Sequence, residues 1–286
     1  RPDAAPPRRP VAPMAAAAPV GGPPFWGPID ALHQFCEAKY QVSPYVAEFW
    51  NTFSNIPAFI LPGLYALIRA RDALDWRLAV LWLAMISVGI GSFLFHATMR
   101  FHCEMFDEVP MVLLVVGGIV SKDDTHWFTS GGWKVLKNVL LGNICTIGLY
   151  QYISTGVYDI FLQLFTAIVL LDLGLAVACC REPDGHGSWV TNGCLAAYVL
   201  TLGPGRLLWE AERQLCPEGQ GGGLAWLHVA WHFLAGAATY FGILADTHIR
   251  WRTLGVGEAI DAARRPWPLV SLLPWRRPTH GHGKTA

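Results

Sequence analysis

The chain has 286 residues, of which 53% are hydrophobic and only 15% are charged. Soluble domains carry roughly 25% charged residues, so this composition indicates a membrane protein. The formal net charge is zero, which gives no indication of nucleic-acid binding. The 13 Trp and 29 Gly residues fit membrane helices, where Trp favours the interfaces and Gly is more frequent than in soluble helices.

Apolar segments fill the middle of the chain, between two tails. Residues 1–24 are rich in Pro and Ala and predict a disordered tail. Residues 25–247 predict a bundle of seven transmembrane helices, since each apolar segment is close to the ~20 residues that cross a bilayer. Residues 248–286 are basic and Pro-rich, which predicts a flexible tail. The predicted spans are 47–68, 78–98, 107–121, 136–154, 156–179, 188–209 and 224–246.

The distribution of Lys and Arg predicts the orientation of this all-α membrane protein. With seven spans and an external N-terminus, most of the 21 basic residues fall in the internal loops and the C-terminal tail. Cytoplasmic segments of membrane proteins carry an excess of Lys and Arg. The sequence therefore predicts a lumenal N-terminus and a cytosolic C-terminus.

Polar residues within the predicted spans are few, and the topology gathers them near the same side of the membrane. Such residues are costly in lipid, face the bundle interior and usually have a function. Residues four apart on a helix share a face. Ser92 and His96 form one such pair, and His228 and His232 form another. The residues are Ser92, His96, Asp107, Glu108, His228 and His232.

Three of these residues form the pattern of a catalytic zinc site. His228 and His232 lie one turn apart and His96 comes from another span, and catalytic zinc commonly takes three protein ligands and leaves one position open. Asp107 is then placed to accept a proton from the attacking water and pass it to a leaving nitrogen. Ser92, one turn from His96, could donate a hydrogen bond to the developing oxyanion.

The remaining polar residues near these spans receive a structural interpretation. The histidines outside the pattern are predicted in solvated loops or interfaces. Glu108 is interpreted as a supporting or structural acid, and two further acids as interfacial groups at the outer end of the sixth span. The histidines are His33, His102 and His126, and the two interfacial acids are Glu210 and Glu212.

The cysteines follow the same topology. Cys36 and Cys216 are both predicted outside, so a disulfide between them is a hypothesis that fits an oxidising compartment. Cys103 is a rival partner, and two free thiols are the alternative. Four other cysteines fall in or beside spans and are predicted to be buried thiols: Cys145, Cys179, Cys180 and Cys194.

Three stretches of the sequence resemble the alkaline ceramidase family. They read FWGPIDALHQFCEAKYQVSPYVAEFWNTFSNIP, GIGSFLFHATMRFHCEMFDEVPM and LHVAWHFLAG, in the order and at the approximate spacing of that family. The resemblance covers residues 25–247 and implies a seven-helix enzyme of the endoplasmic reticulum or Golgi. Its implied reaction is hydrolysis of ceramide to a sphingoid base and a fatty acid.

The resemblance also implies roles for individual residues. His96, His228 and His232 match the zinc ligands of the family, Asp107 matches its catalytic acid, and Ser92 matches the serine beside the metal. Cys36 and Cys216 match a cysteine pair of the family. These assignments agree with the interpretation drawn above from the residues themselves.

The N-terminal segment departs from the family pattern. Alkaline ceramidases typically read D-W-C-E-x-N there and bind calcium with the help of a later Glu. This chain has Gln34 and Lys39 in place of the Asp and the Asn, and retains Glu37 and Glu48. Calcium requires several oxygen ligands, so we predict weak or absent calcium binding at this vestigial site. Lys39 could replace the cation by pairing with Glu37 and Glu48.

Three rival functions fit parts of the pattern. A seven-span receptor of the progestin and adiponectin type would bind zinc but turn over little lipid. A proton-coupled transporter would use the intramembrane His and Asp residues without a metal. A related hydrolase could act on the lipid anchors of proteins. The sequence does not determine the acyl-chain preference or the oligomeric state.

Overall fold

A computed structural model describes residues 23–70, 76–123, 131–181, 189–216 and 224–253. Regular structure in these residues is helical. Most of the predicted N-terminal tail, His126 and residues 254–286 lie outside the described residues. The helices are α1 (Phe49–Asn55), a π-helical segment (Ile56–Ile60), α2 (Leu61–Ala70), α3 (Trp76–Thr98), α4 (Phe101–Ser121), α5 (Gly131–Thr155), α6 (Tyr158–Arg181), α7 (Trp189–Leu215) and α8 (Trp226–Thr253).

Each of the seven predicted apolar segments is helical in the structure. Within the described residues, three helices are long and apolar enough to cross a membrane, namely α3, α6 and α8. Helix α8 continues past the predicted boundary at residue 247 to Thr253. Its last turns are kept in place by packing, since His248, Arg250 and Trp251 are buried.

The first predicted span is interrupted by a π-helical segment that begins next to Pro57. Proline has no backbone N–H to donate and disturbs the regular hydrogen-bond pattern of a helix. This segment packs very closely against α8, because Gly236 has no side chain and contacts the backbone of Ala58. The close contact brings the N-terminal helices against the helix that carries His228 and His232.

Helices α3 and α4 approach each other at a glycine. A Cβ atom at Gly91 would collide with the backbone carbonyl of Phe106. That carbonyl lacks its usual helical donor, because the residue four positions later is Pro110. The residues that follow Gly91 and Phe106 in the chain are Ser92 and Asp107, so the close approach places these two side chains together.

The N-terminal segment closes the C-terminal end of α3. The last carbonyl groups of a helix have no partners within the helix. Here the N–H of Ala47 donates to the carbonyl of Ala97 (2.8 Å) and the N–H of Glu48 to that of His96 (2.9 Å). Met99 then ends the helix with a positive φ of 51°. These bonds hold the Glu48 side chain beside His96.

A disulfide joins Cys36 and Cys216, whose Cα atoms are 5.6 Å apart. It connects the N-terminal segment to the end of α7. Cys103, the rival partner, is a buried free thiol. Thiols are also found at Cys145, Cys179, Cys180 and Cys194.

Candidate functional site

The three predicted zinc ligands come together in the interior of the protein. His96 on α3 and His228 and His232 on α8 each offer a nitrogen atom, and these atoms lie within 4.8 Å of one another. All three side chains are buried, with exposed fractions of 3% or less. His228 and His232 are four residues apart, so both point from one face of α8. The packing of α3 against α8 adds His96.

Two of the histidines are held by buried carboxylates through Nδ1. His96 Nδ1 lies 2.5 Å from Glu48 Oε2, and His228 Nδ1 lies 3.0 Å from Glu212 Oε2. An ionised carboxylate only accepts hydrogen bonds, so Nδ1 carries the proton in both rings. Such carboxylates typically orient the histidines that bind a metal and raise their basicity.

The third histidine is held by a hydroxyl group. His232 Nδ1 lies 2.7 Å from Ser54 Oγ, and the Ser54 hydroxyl donates its own proton to the carbonyl of Asn51. Ser54 must therefore accept from His232, which places the proton of this ring on Nδ1 as well. In each of these three rings the hydrogen bond is made by Nδ1, which leaves Nε2 as the nitrogen available to a ligand.

The donor set fits a metal ion. His96 Nε2 is buried and has no hydrogen-bond partner among the described residues, and an orphaned buried polar atom requires an explanation. Three imidazole nitrogens that face one another, each fixed by a hydrogen bond on the other side of its ring, are suited to zinc in a site with one open position.

Ser92 and Asp107 lie beside the histidines. The Ser92 hydroxyl faces the Asp107 carboxylate, as the close approach of α3 and α4 allows. Both residues line the same cavity as His228 and His232. The structure thus brings together all five residues that the sequence predicted for the catalytic centre, on α3, α4 and α8.

The cavity is polar near the histidines and mainly apolar farther along. It contains about 980 Å³ of empty space, including its opening. Asp107 and Gly118 both line it, and at 1.5 Å of rise per residue along α4 they are roughly 16 Å apart. Apolar side chains between them include Met111, Leu114 and Val115. A long hydrocarbon chain fits such a space.

A buried ion cluster lies at the far end of this cavity. Lys122, directly after the end of α4, is only 2% exposed. Its ammonium group pairs with Asp172 (2.9 Å) and also with Asp246. Buried charges are stable when they are paired in this way.

The vestigial calcium site holds the Lys39 ammonium. Lys39 Nζ donates to the backbone carbonyls of Phe35 (2.7 Å) and Glu37 (2.9 Å) and to the Glu48 carboxylate. The predicted pairing with Glu48 is therefore present. The pairing with the Glu37 carboxylate is absent, because that carboxylate accepts the N–H groups of Trp50 (2.7 Å) and Asn51 (2.8 Å) at the start of α1.

The two acids of this segment have different surroundings. Burial raises the pKa of Glu37 to about 7, although the two backbone N–H donors oppose this. The Glu48 carboxylate is fully buried and pairs with both the Lys39 ammonium and the His96 ring. The single ammonium therefore has Glu48 as its carboxylate partner.

His33 is a correction to the sequence interpretation, which placed it in a solvated loop. Its Nδ1 pairs with the Glu104 carboxylate, and its ring stacks on Tyr158 at 3.9 Å between centroids. His33 also lines the cavity together with Glu108. The three residues His33, Glu104 and Glu108 form a second group with metal-binding potential.

Glu212 is a second correction. It was interpreted as an interfacial acid, yet it is 1% exposed and connects His228 to the N–H of Cys36 (2.9 Å). The acid that fits the interfacial interpretation is Glu210, which pairs with Arg206 and Arg213 near the surface. The one feature of the sequence that could have indicated a buried Glu212 was its position close to Cys216 in the chain.

Ser54 and the role of Glu48 at His96 were also missed. Ser54 follows a run of aromatic and polar residues with no recognisable spacing to a histidine. Glu48 was recognised only as a calcium ligand. Nothing in the sequence indicated that Glu48 would lie beside His96 or that Ser54 would lie beside His232.

The fold and the site define a helical integral membrane protein with a buried histidine cluster suited to a metal. A sequence profile of the ceramidase family matches residues 27–275, and the chain belongs to this family. Alkaline ceramidase 3 of Mus musculus is 27% identical over 270 residues, 88% of this chain and 96% of the mouse protein. Alkaline ceramidase 1 of Homo sapiens is 26% identical over 241 residues, 82% and 88% of the two chains.

A plant relative is more similar over a shorter region. The alkaline ceramidase of Arabidopsis thaliana is 38% identical over 106 residues, which cover 36% of this chain and 41% of the plant protein. The family assignment agrees with the resemblance carried by the three sequence stretches. It does not favour the receptor or the transporter interpretation.

Proposed function

We propose that this protein is a zinc-dependent amide hydrolase that cleaves ceramide into a sphingoid base and a fatty acid. The observation that carries the proposal is the set of three histidines with Nε2 atoms facing one another beside Ser92 and Asp107, at the polar end of an apolar cavity. The names of the relatives, all alkaline ceramidases, support the choice of substrate.

His96, His228 and His232 would hold the zinc ion, with Glu48, Glu212 and Ser54 orienting the rings. Zinc in such a site supplies Lewis acidity to a carbonyl group and to an attacking water. The chain's own residues handle the protons. Asp107 accepts the proton of the attacking water and returns it to the leaving nitrogen.

Ser92 changes partner during this reaction. In the structure its hydroxyl faces the Asp107 carboxylate and is placed to donate to it, and a hydroxyl has only one proton to donate. Once Asp107 has gained a proton, its neutral carboxyl group attracts the Ser92 hydroxyl less strongly than the carboxylate did. The Ser92 hydroxyl then turns to the developing oxyanion, so proton uptake by Asp107 and stabilisation of the oxyanion are coupled.

The surroundings of the site suit a lipid substrate. The apolar part of the cavity accepts a hydrocarbon chain, and ceramide reaches it from the surrounding bilayer. We place the enzyme in a seven-span bundle of the endoplasmic reticulum or Golgi membrane, with the N-terminus lumenal and the C-terminus cytosolic. An oxidising lumen fits the disulfide between Cys36 and Cys216.

The Lys39 ammonium takes the place of a calcium ion in this enzyme. It donates to two backbone carbonyls and one carboxylate, which are the oxygen groups that calcium would use. Through Glu48 it also stabilises the hydrogen bond to His96. Activity is therefore expected to be independent of calcium.

The proposal is tested by fatty acid release from labelled ceramide by detergent-purified protein, with zinc measured in the same sample. We expect release by the wild type with about one zinc ion per chain, since the three histidines form one site. Asp107→Ala should keep the zinc and the fold but lose at least about 10²-fold in rate, the usual contribution of a general base.

The rival functions give different results in the same experiment. Zinc without release of fatty acid would indicate a receptor. Neither zinc nor release would contradict the metal site itself and favour a transporter. Retained activity in Asp107→Ala would remove Asp107 from the mechanism while leaving the hydrolase assignment in place.

A further inference from the structure

Glu108 is a buried acid that the proposed reaction does not use. It follows Asp107 on α4, is 3% exposed and lines the cavity. Neither of its oxygens makes a hydrogen bond of acceptable geometry with a described residue, although the Tyr152 hydroxyl faces it. A buried polar group without a partner is costly, so a partner from outside the chain is expected.

His33 faces the same point from the other side. Its Nε2 lies 3.9 Å from Glu108 Oε1, which is too far for a direct hydrogen bond. A hydroxyl group fits between them with its oxygen about 2.8 Å from each atom. His33 Nδ1 carries the ring proton toward Glu104, so the hydroxyl would donate to Nε2 and accept from the protonated carboxyl group of Glu108. Both side chains line the cavity, so a bound substrate can reach this gap.

The position of His33 is fixed by its neighbours. Its Nδ1 pairs with Glu104, and the same carboxylate accepts the N–H of Leu32 at 2.6 Å. The ring stacks on Tyr158. Glu104 is therefore a positioning residue, and the imidazole has its Nε2 left for a partner in the cavity.

We propose that His33 and Glu108 form a subsite that binds a hydroxyl group of the sphingoid head of the substrate. This inference rests on the proposed ceramide hydrolysis. The carbon that bears the amide nitrogen of ceramide has hydroxyl-bearing neighbours on both sides, and Glu108 is adjacent in the chain to the acid that protonates this nitrogen. A hydroxyl next to the amide nitrogen is thus within reach of the gap when the amide lies at Asp107.

The test compares three substrates with the same acyl chain: ceramide, 1-deoxyceramide and 3-deoxyceramide. A site built around a substrate hydroxyl rejects an analogue that lacks it, because its own polar groups are left unpaired. We expect kcat/KM of the wild type to fall at least about 10²-fold for one of the two deoxy analogues. The analogue that is rejected identifies the bound hydroxyl.

Two variants test the residues separately. Glu108→Leu and His33→Phe remove the polar groups, and the phenyl ring keeps the stacking on Tyr158. Each should lower kcat/KM for ceramide toward the value for the rejected analogue, so that the preference falls below about 10-fold. Glu210→Leu, at a surface ion pair, is the matched control and should keep the wild-type preference. Zinc content and melting temperature show which variants are folded.

The outcomes separate the subsite from the reaction. Equal hydrolysis of all three substrates by the wild type would overturn the subsite and leave ceramide hydrolysis standing. An equal loss on all three substrates in both variants would assign the residues a structural role and also overturn it. No release from any substrate would overturn both the reaction and the subsite.

Discussion

At the scale of single residues, the site depends on the groups behind the histidines. A histidine has two ring nitrogens, and either can bind a metal. Glu48, Glu212 and Ser54 each occupy Nδ1 of one histidine, so the three Nε2 atoms are the ones left to bind the proposed metal. The choice of nitrogen is made by these partners and is invisible in the histidine spacing.

Glu212 and Glu210 form a matched pair for testing this idea. Removing a group that orients a metal ligand typically costs 10- to 100-fold in metal affinity or activity. We expect Glu212→Ala to weaken zinc affinity in this range, because His228 loses its partner. Glu210→Ala, on the same helix but near the surface, should leave the affinity unchanged. Competition with a zinc chelator measures both, and equal affinities in the two variants would argue against the role of Glu212.

The Lys39 ammonium can be tested by restoring the family pattern. Replacing Gln34→Asp and Lys39→Asn together supplies two more oxygen ligands and removes the competing positive charge. We expect the wild type to hydrolyse ceramide equally with and without calcium, and the double variant to require it. Release assays across a calcium titration, with magnesium as the control ion, measure this. Calcium-dependent hydrolysis by the wild type would contradict the proposal that the Lys39 ammonium takes the place of a calcium ion.

At the scale of helices, the contact of α3 with α4 controls the geometry of Ser92 and Asp107. Gly91 permits the contact because it has no side chain, and Pro110 leaves the Phe106 carbonyl without its helical donor. The backbone of Phe106 cannot move aside as a flexible side chain could. The spacing of the two helices is therefore sensitive to a single methyl group.

The variant Gly91→Ala should consequently lose activity and stability. The added Cβ forces α3 and α4 apart and moves Ser92 away from Asp107, so we expect at least about a 10²-fold loss of kcat. Gly142→Ala on α5, where a Cβ meets open space, should be neutral or stabilising by up to about 1 kcal/mol. Release assays and thermal melts compare them, and similar behaviour of the two variants would refute this account.

At the scale of the whole molecule, the disulfide connects parts of the chain that are far apart in sequence. Cys36 and Cys216 are separated by 180 positions, and closing a loop of this size stabilises a fold by roughly 5 kcal/mol in the chain-entropy estimate. The Cys36 N–H also donates to Glu212. The disulfide therefore supports both the fold and the orientation of His228.

Removing the disulfide should affect stability and metal binding together. We expect the double variant Cys36→Ala, Cys216→Ala to melt at least about 5 °C lower and to bind zinc more weakly. Cys103→Ala, which removes a buried free thiol, should shift melting less and keep the zinc affinity. Thermal melts and zinc competition measure both effects, and an unchanged zinc affinity in the double variant would separate the disulfide from the site.

The sequence by itself determined the helical character of the protein and the residues of the proposed catalytic centre. Most of the apolar segments have about the length of a membrane-spanning helix, because the bilayer sets that length. The residues Ser92, His96, Asp107, His228 and His232 stood out because polar groups are rare in such segments. The cysteine pair and Lys39 were recognised from the topology and from a departure from the family pattern.

Tertiary structure alone decided what surrounds these residues. Glu48, Ser54 and Glu212 lie on segments whose sequences give no sign of a histidine nearby, and the folding of the N-terminal segment over the end of α3 brings the first two into place. His33 is predicted in a solvated loop, yet packing against α4 and α6 makes it part of a buried network. Helix periodicity records which residues share one helix face, whereas partners from different helices are set by packing and leave no regular spacing in the sequence.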